Sequence, residues 1–309
     1  MPLPNAMHNN STACVATIGF FDGVHLGHRY LINHVRQLAE AQNMASMVVT
    51  FGTHPRQVVH PEYVPHLLST PEEKQLLLKG TGVDQVMVLN FDQNMAALTA
   101  REFMQRVLKQ RLNVAQLVIG YDNKFGHNRE EGFEDYCQHG HELGISVVEA
   151  PQFAPSGAHI SSSAIRHNLA EGRIVQANAL LGYTYSLGGK VVPGFQEGRK
   201  MGFPTANLLV DNPQKLLPQN GVYATTVGLE GYEHPLKGMT NIGIRPTFNG
   251  KGITIETNIL DFSADIYGRN MRVAFVERIR DELKFNSIEE LKAKMKQDEA
   301  LARRLNQDA

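Results

Sequence analysis

A histidine pair stands where the first predicted strand leads into the first predicted helix. His25 and His28 lie within the run Gly19–His28, which carries three glycines. Glycine lets a backbone approach a ligand closely, and a helix N-terminus presents free N–H groups to a phosphate. Two imidazoles there could stabilise charge that develops on a phosphate. The alternative is that both are turn and helix-start residues with satisfied hydrogen bonds, whereas zinc would need a third ligand that no spacing suggests.

Two further segments of the first half carry side chains that can bind anions. In the run His159–Arg166, the serines Ser161–Ser163 precede a predicted helix, and an arginine follows one turn into it. The serines alone would be competing N-caps, but with Arg166 they also form an anion cradle of hydroxyls, amides and a guanidinium. The run Gly120–Arg129 follows a predicted strand, where a parallel sheet places its ligands, unless it is only a solvated loop.

The second half contains a glycine-rich run from Gly194 to Asn207 with two adjacent cations. Such loops between strands are usually turns, but exposed amides together with Arg199 and Lys200 could also wrap phosphates. Thr205 and Asn207 offer hard oxygen ligands of the kind that Mg²⁺ prefers. The run is not a P-loop, because the spacing of glycines, lysine and Ser/Thr in that motif is absent.

A carboxylate, Glu256, lies within the strand-like apolar run Ile253–Phe262. Strand alternation would place Glu256 and Asn258 on one face, opposite Ile255 and Thr257. An acid at this position could simply point to solvent. Inside a cleft it could instead take the proton from an attacking hydroxyl, which makes it a candidate general base.

Two kinds of fold must position these residues. The first half alternates strand and helix patterns at the spacing of a parallel sheet with crossover helices. Capping boxes at Thr70 and Thr99 begin two of its helices. We predict strands at 15–19, 46–51, 85–89, 116–119 and 145–149, and helices at about 28–42, from 71 through 78, 100–112 and 131–143.

The pattern changes after Gln152. Two short helices are predicted at about 162–171 and 174–181, and then short strand runs separated by Gly, Pro and Asn suggest an antiparallel barrel or sandwich. Ser287 caps a final charged helix. We place the domain boundary between residues 182 and 183. The predicted strands of this half are 185–192, 221–228, 234–241, 253–260 and 271–276.

Length and composition exclude several classes of protein. A chain of 309 residues is long for one core, and 42% hydrophobic with 20% charged residues is typical of a folded globular protein. Thirty Lys and Arg balance 31 Asp and Glu, which argues against binding nucleic acid or anionic membranes through bulk charge. Two distant cysteines exclude a disulfide framework, and no signal peptide or 20-residue apolar run is visible. We therefore expect a cytoplasmic protein.

The combination of motifs resembles a known family over essentially the whole chain. GFFDGVHLGH, TFGTHP, GYDNKFG and ISSSAIR are similar to the adenylyltransferase module of bacterial bifunctional riboflavin kinase/FAD synthetases. GR-x-x-GFPTAN, NGVYA, NIGIRPTF and ETNILDF are similar to their riboflavin kinase module. The resemblance implies a Rossmann-like nucleotidyltransferase domain at 1–182. It also implies an antiparallel β-barrel kinase domain with a terminal helix at 183–309, with riboflavin, FMN and ATP as its small-molecule partners.

For the first half, the resemblance implies that FMN attacks the α-phosphate of ATP directly, so that positioning and charge stabilisation carry the catalysis. His25 and His28 would stabilise the triphosphate and its transition state. Asp122 and Phe125 would help to seat FMN. The remaining residues implied to bind ATP and its phosphates are Gly19, Phe20, Asp22, Gly23, Ser161, Ser162, Ser163 and Arg166.

For the second half, the resemblance implies that Glu256 is the general base that activates the ribityl 5′-hydroxyl. Thr205 and Asn207 would hold Mg²⁺ and ATP, with Mg²⁺ as the cofactor and ATP as co-substrate. Arg280 would lie on the flavin side. The residues implied to bind ATP in the kinase are Gly198, Arg199, Gly202, Pro204, Thr205 and Asn207.

Two positions depart from the pattern of the family that the chain resembles. Asn123 stands where family members often carry an aromatic residue, and Asn258 stands where they often carry histidine. One alternative is therefore a kinase whose first half is inactive in adenylyl transfer. Others are a non-catalytic flavin-binding regulator, and a first half that activates a different phosphate or carboxylate substrate with ATP.

Overall fold

The computed structural model describes residues 12–120, 123–127, 130–153, 160–194, 198, 202–247 and 250–306. The chain forms two compact units that divide between Ile160 and Ser161. The first is built on a parallel sheet and the second on a closed antiparallel barrel. The predicted fold class, an α/β domain followed by a β-barrel, is therefore confirmed.

The sheet of the first unit has the strand order β3-β2-β1-β4-β5. Its strands are β1 (Cys14–Ile18), β2 (Ala45–Phe51), β3 (Gln85–Leu89), β4 (Val114–Ile119) and β5 (Ser146–Glu149). All residues of β1 are buried, as expected for a central strand covered on both faces. The chain order reverses between β1 and β4, which are hydrogen-bonded neighbours. Ligands of open α/β sheets bind at the carboxyl ends of the strands at such a reversal.

The helices of the first unit begin where local chemistry predicts. Thr70 and Thr99 both form complete capping boxes, with Glu73 and Glu102 reaching back to the cap N–H. The helix predicted to reach Leu112 changes after Phe103 into a π-helical stretch, Met104–Arg111. The helices are α1 (Leu26–Ala41), α2 (Pro55–Val59), α3 (Pro71–Lys79), α4 (Gln93–Ala96), α5 (Ala100–Phe103) and α6 (Phe133–Leu143).

The barrel of the second unit closes in the order β10-β7-β6-β11-β8-β9, which excludes the sandwich alternative. The sequence analysis missed β7, because its first two residues were included in the glycine-rich run and its last three were assigned to no element. The strands are β6 (Ser186–Val192), β7 (Ala206–Val210), β8 (Gly221–Leu229), β9 (Leu236–Thr247), β10 (Gly250–Ile259) and β11 (Asn270–Arg280).

Three helices accompany the barrel: α7 (Ser162–Ala170), α8 (Ile174–Leu181) and α9 (Ile288–Leu305). α8 is tied to β11 because the Asn178 amide donates to the Phe275 carbonyl at 2.9 Å. The N–H of Gln219 donates to the Leu169 carbonyl at the end of α7. Packing thus groups α7 and α8 with the barrel, whereas the boundary at 182/183 was predicted for the functional domains and stays a prediction.

The barrel interior accommodates a short polar chain. The hydroxyls of Thr225, Thr240 and Thr257 are fully buried and linked by hydrogen bonds of 2.9 Å. Thr257 therefore faces inward, as the alternation along β10 predicted, and Glu256 and Asn258 lie on the opposite face. Across the part of the chain that the structure covers, no helix has the length and apolarity needed to cross a membrane.

Candidate active sites

The first candidate site is the turn between β1 and α1. Phe21 and Gly23 adopt left-handed backbone angles, with φ of 54° and 77°, and both are buried. A Cβ on Gly19 would meet the Phe21 ring at 3.1 Å, so the turn needs a glycine there. The N–H of Gly19 donates to the Val49 carbonyl and that of Gly23 to the Ser69 hydroxyl. These two glycines therefore shape the turn, and their own amides already have protein acceptors.

His25 is the N-cap of α1, as the structural interpretation of the pair predicted. Its Nδ1 accepts a hydrogen bond of 3.3 Å from the N–H of His28, so a neutral His25 carries its proton on Nε2. A Cβ on Gly27 would lie 3.3 Å from this imidazole and 3.6 Å from the Ile160 carbonyl. Glycine at position 27 therefore lets the ring fold across the start of the helix.

His28 differs from its partner in having an unsatisfied nitrogen. Its ring stacks on that of His25 with centroids 3.6 Å apart. Nδ1 of His28 is buried and has no hydrogen-bond partner among the residues that the structure describes. Burial holds the pKa of His28 well below its usual value, and the nearby His25 and Lys74 lower it further. A neutral imidazole donates from only one of its two nitrogens, so His28 could bind an anion only through the nitrogen that carries the proton.

Lys74 is a component of this site that sequence reasoning missed. Its side chain is only 3% exposed, and the ammonium donates to the carbonyls of Phe20 at 3.1 Å and Phe51 at 2.7 Å. It also lies 3.8 Å from the centre of the Phe20 ring. Burial lowers the pKa of Lys74 to about 8 against the opposing effect of Asp22, so the amine stays mostly protonated at neutral pH. Through these two hydrogen bonds, Lys74 links the turn after β1 to the end of β2.

The Asp22 carboxylate is bonded to the loop that precedes α3. This buried carboxylate accepts hydrogen bonds of 3.0 Å from the N–H groups of Leu68 and Ser69, and one of 3.2 Å from the Ser69 hydroxyl. It thereby fixes the loop that precedes α3, the helix that carries Lys74. A role of Asp22 toward a nucleotide stays a prediction.

The segment that follows β4 carries the predicted flavin residues. Phe125 is half-buried and stacks on Tyr136 with ring centroids 4.3 Å apart. The amide side chain of Asn123 donates to the carbonyl of Ile18 at the end of β1. This residue, a departure from the resembled pattern, thus attaches the loop after β4 to its neighbouring strand. Asp122 lies outside the described residues.

The serine–arginine segment belongs to the second compact unit. Ser161 is the N-cap of α7, its hydroxyl accepting from the N–H of Ala164 at 3.2 Å. Ser163 is exposed, while Ser162 and Arg166 are partly buried and share one face of the helix, being four residues apart. Ser161 is therefore an N-cap, as one interpretation predicted. Ser162 lies on the same helix face as Arg166, which is compatible with the other interpretation, an anion cradle.

The second candidate site lies on the outer face of the barrel. Glu256 on β10 is directly opposite Asn207 on β7 and Asn241 on β9. Directly opposed residues of an antiparallel pair point to the same side, so the carboxylate lies between two amides. Glu256 lines a cavity of about 280 Å³. The expectation that it points into a cleft rather than to bulk solvent is met.

One wall of this cavity is apolar, and α9 supplies part of it. The apolar lining is Val222, Met239, Leu283, Phe285, Leu291 and Met295. Arg280 also lines it, and its Nε donates to the Asp298 carboxylate of α9 at 2.7 Å. Asp298 is almost fully buried. In the sequence it lies four residues after Lys294, a spacing that is typical of an ion pair on an exposed helix face. Sequence reasoning therefore missed Asp298.

The glycine-rich loop folds back on itself next to the cavity. The N–H of Phe203 donates to the Gly198 carbonyl at 2.8 Å, and a Cβ on Gly198 would overlap the Phe203 carbonyl. Gly202 has a φ of 88°, which favours glycine. Gly198 lines the cavity with Glu256. Arg199 lies outside the described residues.

Thr205 lies between two cavities, and Pro204 lines one of them. Thr205 lines the cavity of Glu256, and both residues line a second cavity of about 530 Å³. The second cavity extends along the start of β7 to the segment Phe262–Tyr267. Thr205 is thus placed where two ligands, one in each cavity, would meet.

The oxygen atoms around Thr205 fit a magnesium ion. Thr205, the residue just before β7, offers a hydroxyl, and Asn207 of β7 offers an amide oxygen opposite the carboxylate of Glu256. A side chain on Gly194 would overlap the Asn207 amide, so the absence of a Cβ there leaves room for that group. Hard oxygen donors are what Mg²⁺ prefers, whereas the histidine pair of the first unit offers none.

Comparisons with known proteins match a family model to each half of the chain. A family described as FAD synthetase matches residues 7–164, and one described as riboflavin kinase matches residues 181–306. The bifunctional riboflavin kinase/FMN adenylyltransferase of Escherichia coli K12 is 39% identical, covering 98% of this chain and 97% of its own. The Pseudomonas fluorescens protein of that name is 37% identical, covering 99% and 98%. A Streptococcus pneumoniae crystal structure described as a macrolide-efflux protein superposes with a TM-score of 0.87 at 32% identity, covering 95% of both chains.

Proposed function

We propose how the residues of this chain, a member of the bifunctional riboflavin kinase/FMN adenylyltransferase family, divide two reactions between them. The chain phosphorylates riboflavin with ATP to FMN, and it transfers AMP from ATP to FMN, which gives FAD and pyrophosphate. In the proposal, residues 1–182 carry adenylyl transfer and residues 183–309 carry the kinase. The family matches, which end at residue 164 and begin at residue 181, support this division.

The observation that carries the kinase assignment is the placement of Glu256 on a cavity wall near Thr205. In the proposal the Glu256 carboxylate takes the proton of the ribityl 5′-hydroxyl as that oxygen attacks the γ-phosphorus of ATP, and ADP leaves. Asn207 and Asn241 lie directly opposite Glu256 on the two neighbouring strands, so their amides flank the proposed base. The strand thus supplies a base whose position is set by the barrel.

The two cavities supply the two substrates of this step. The smaller cavity is the proposed riboflavin site, because its apolar wall suits an isoalloxazine ring and its carboxylate suits the polar ribityl end. The larger cavity is the proposed site of the ATP nucleoside. The phosphates would then pass Thr205 under the loop that contains Gly198 and Gly202, with Arg199 placed there by resemblance only.

Thr205 and Asn207 are the proposed holders of Mg²⁺. When bound, the ion would offset the negative charge of the phosphates. The chain's own contribution is to fix a hydroxyl and an amide oxygen on one strand edge beside Glu256. Arg280, held by Asp298, is proposed to orient the flavin on the opposite wall.

For adenylyl transfer, the proposed reaction is a direct attack of an FMN phosphate oxygen on the α-phosphorus of ATP, with pyrophosphate as the leaving group. His28 is the proposed donor to the phosphates, because its imidazole lies in the first turn of α1, beside His25 and Lys74. Negative charge nearby favours the protonated imidazole, so nucleotide binding would raise the pKa of His28 from its depressed value. A donor that is in place beforehand and gains charge with the ligand stabilises the transition state.

The other residues of the first site support this step in the proposal. His25 caps α1 and stacks on His28, and Lys74 holds the turn between β1 and α1. Ser161–Ser163 and Arg166 are proposed to bind the leaving β,γ-phosphates, and Asp122 and Phe125 to seat FMN. We also propose that the enzyme works in the cytoplasm, where ATP is supplied.

A time course with purified protein, riboflavin, ATP and Mg²⁺ tests the proposal. Chromatography should show FMN first and FAD later, and supplied FMN should yield FAD without riboflavin. FMN without any FAD, even from supplied FMN, would favour the kinase with an inactive first half. Absence of both products would contradict the proposal and favour the non-catalytic regulator or a first half that activates a different substrate.

A further inference from the structure

Asn258 is a buried amide beside the proposed catalytic base. It lies two residues after Glu256 on the same face of β10 and is 7% exposed. Its side-chain Nδ2 donates a hydrogen bond of 2.7 Å to the carbonyl of Pro204. An amide that is removed from water forms such a bond to a specific partner, so the contact fixes the position of Pro204 against β10.

This contact continues the pairing of β7 with β10 beyond its last backbone pair. Glu256 pairs with Asn207 and Thr257 with Ala206, where the register ends. The next position on β10 is Asn258, and its side chain takes the carbonyl of Pro204. Thr205 therefore has both chain neighbours tied to β10, Ala206 by the strand register and Pro204 by Asn258.

The approach to Thr205 from the other side has little freedom left. Gly202 makes a left-handed turn, and Phe203 is buried with its N–H bonded to Gly198. Proline has a fixed φ and no backbone N–H, so its carbonyl is the one backbone group through which residue 204 can form a hydrogen bond. Asn258 donates to that carbonyl.

We propose that Asn258 is a positioning residue for phosphoryl transfer, which holds the Thr205 hydroxyl at a set distance from the Glu256 carboxylate. The inference rests on the proposed roles of Glu256 and Thr205. Asn258 also lines the smaller cavity, but the role proposed here depends on its side-chain nitrogen, which is bonded to the Pro204 carbonyl. It acts through one hydrogen bond that couples the strand carrying the base to the segment that faces both cavities.

A purely structural role predicts a different outcome, and the barrel offers a matched control. Asn306 is also buried, and its Nδ2 donates to the carbonyls of Thr225 and Gly238 at 3.1 and 3.2 Å. It does not line either cavity among the described residues. Asn306→Asp therefore removes the same kind of donor from the same barrel without disturbing the Thr205 segment.

The experiment compares Asn258→Asp, Asn258→Leu, Asn258→His and Asn306→Asp in the full chain. Asp and Leu both remove the donor, one with and one without a new charge, whereas a histidine ring can still donate. For each variant, kcat and KM of riboflavin phosphorylation are measured, with conversion of supplied FMN to FAD as the internal control. Hydrogen exchange of the amides from Gly202 to Asn207 is measured in the substrate-free protein.

We expect Asn258→Asp and Asn258→Leu to lower the kinase kcat by on the order of 10²-fold with KM for riboflavin little changed, as for a misplacement of about 1 Å. Exchange in the Gly202–Asn207 segment should accelerate, FAD formation from FMN should persist, and Asn258→His should recover much of kcat. Asn306→Asp should lower the melting temperature and leave kcat unchanged.

The inference is overturned if the Asn258 variants keep their kcat, or if Asn306→Asp lowers kcat as much as they do. It is also overturned if Asn258→Leu is slow while exchange in the segment is unaltered. Glu256→Gln separates this result from the underlying assignment. If that variant still makes FMN, the assignment of the base fails; if it does not and Asn258→Leu remains fast, only the positioning role fails.

Discussion

The two candidate sites use their side chains in opposite ways. In the first unit, His25 caps a helix, Asp22 holds the loop before α3, and Lys74 bonds two strand ends. The groups that surround the turn between β1 and α1 therefore also hold that turn in place. In the barrel, Glu256 sits in a regular strand whose geometry is set by its neighbours. Activity and stability should consequently be coupled in the first site and separable in the second.

The largest effect is expected at the barrel site. Glu256→Gln removes the proposed base while preserving the shape of the side chain, and kcat for FMN formation should fall about 10²–10⁴-fold. Product chromatography measures this, and melting temperature and FAD formation from supplied FMN should be unchanged. A clear loss of stability in this variant would contradict the separation between the two sites.

A somewhat smaller effect is expected for His28→Ala. Removing one donor to a developing charge costs about 10²–10³-fold, so riboflavin should be converted to FMN and accumulate there. Pyrophosphate release from ATP and supplied FMN measures the step. Kinase activity in the same preparation is the control, and its parallel loss would argue against independent sites.

Lys74→Met tests whether Lys74 contributes both to the stability of the first unit and to FAD formation. The substitution keeps an apolar chain but leaves the Phe51 carbonyl without its ammonium donor, at a cost of about 1–3 kcal/mol for an unpaired buried group. Hydrogen exchange of β1 and β2 amides should accelerate and FAD formation should fall, with the kinase as control. Normal exchange together with lost FAD formation would show that Lys74 acts on the ligand alone.

The smallest effect is a pH dependence of stability caused by His28. Its folded pKa lies well below the unfolded value near 6.5, so the unfolded chain binds a proton first as the pH falls. The stabilising contribution is complete above pH 6.5 and is lost as the pH falls toward the folded pKa, with a slope of at most about 1.4 kcal/mol per pH unit. Lys74, with a folded pKa of about 8, is charged in both states below pH 7 and adds no slope there.

Urea unfolding monitored by exchange of β1 amides at pH 7.5 and 5.5 measures this dependence. His28→Asn should lose less stability over the interval than the parent chain, since asparagine does not titrate. Equal losses would mean that other groups account for the acid sensitivity of this unit.

Local chemistry made much of the fold predictable. Thr70 and Thr99 begin helices because a hydroxyl and a glutamate three residues later satisfy the first backbone donors, which depends on no distant part of the chain. β7 was missed for the opposite reason. Its five residues become a strand by pairing with β6, across the glycine-rich loop, and with β10, which is distant in sequence.

The same distinction between local and distant interactions decides which site residues could be predicted. Glu256 could be singled out because one acid in an apolar strand is visible in the sequence itself. Lys74 could not, since nothing in the helix that carries it distinguishes a buried lysine from a solvated one. Asn123 and Asn258 were visible only as departures, and their carbonyl partners, Ile18 and Pro204, lie 105 and 54 positions away.

The position of Asp298 has a consequence for the order in which the enzyme becomes competent during synthesis. The wall of the smaller cavity includes Leu291, Met295 and the carboxylate that holds Arg280, all from α9. A nascent chain whose α9 is still in the ribosome tunnel has every strand of the barrel but an incomplete flavin wall. The sheet unit has been translated long before that moment, so the half that performs the later reaction is the first able to fold.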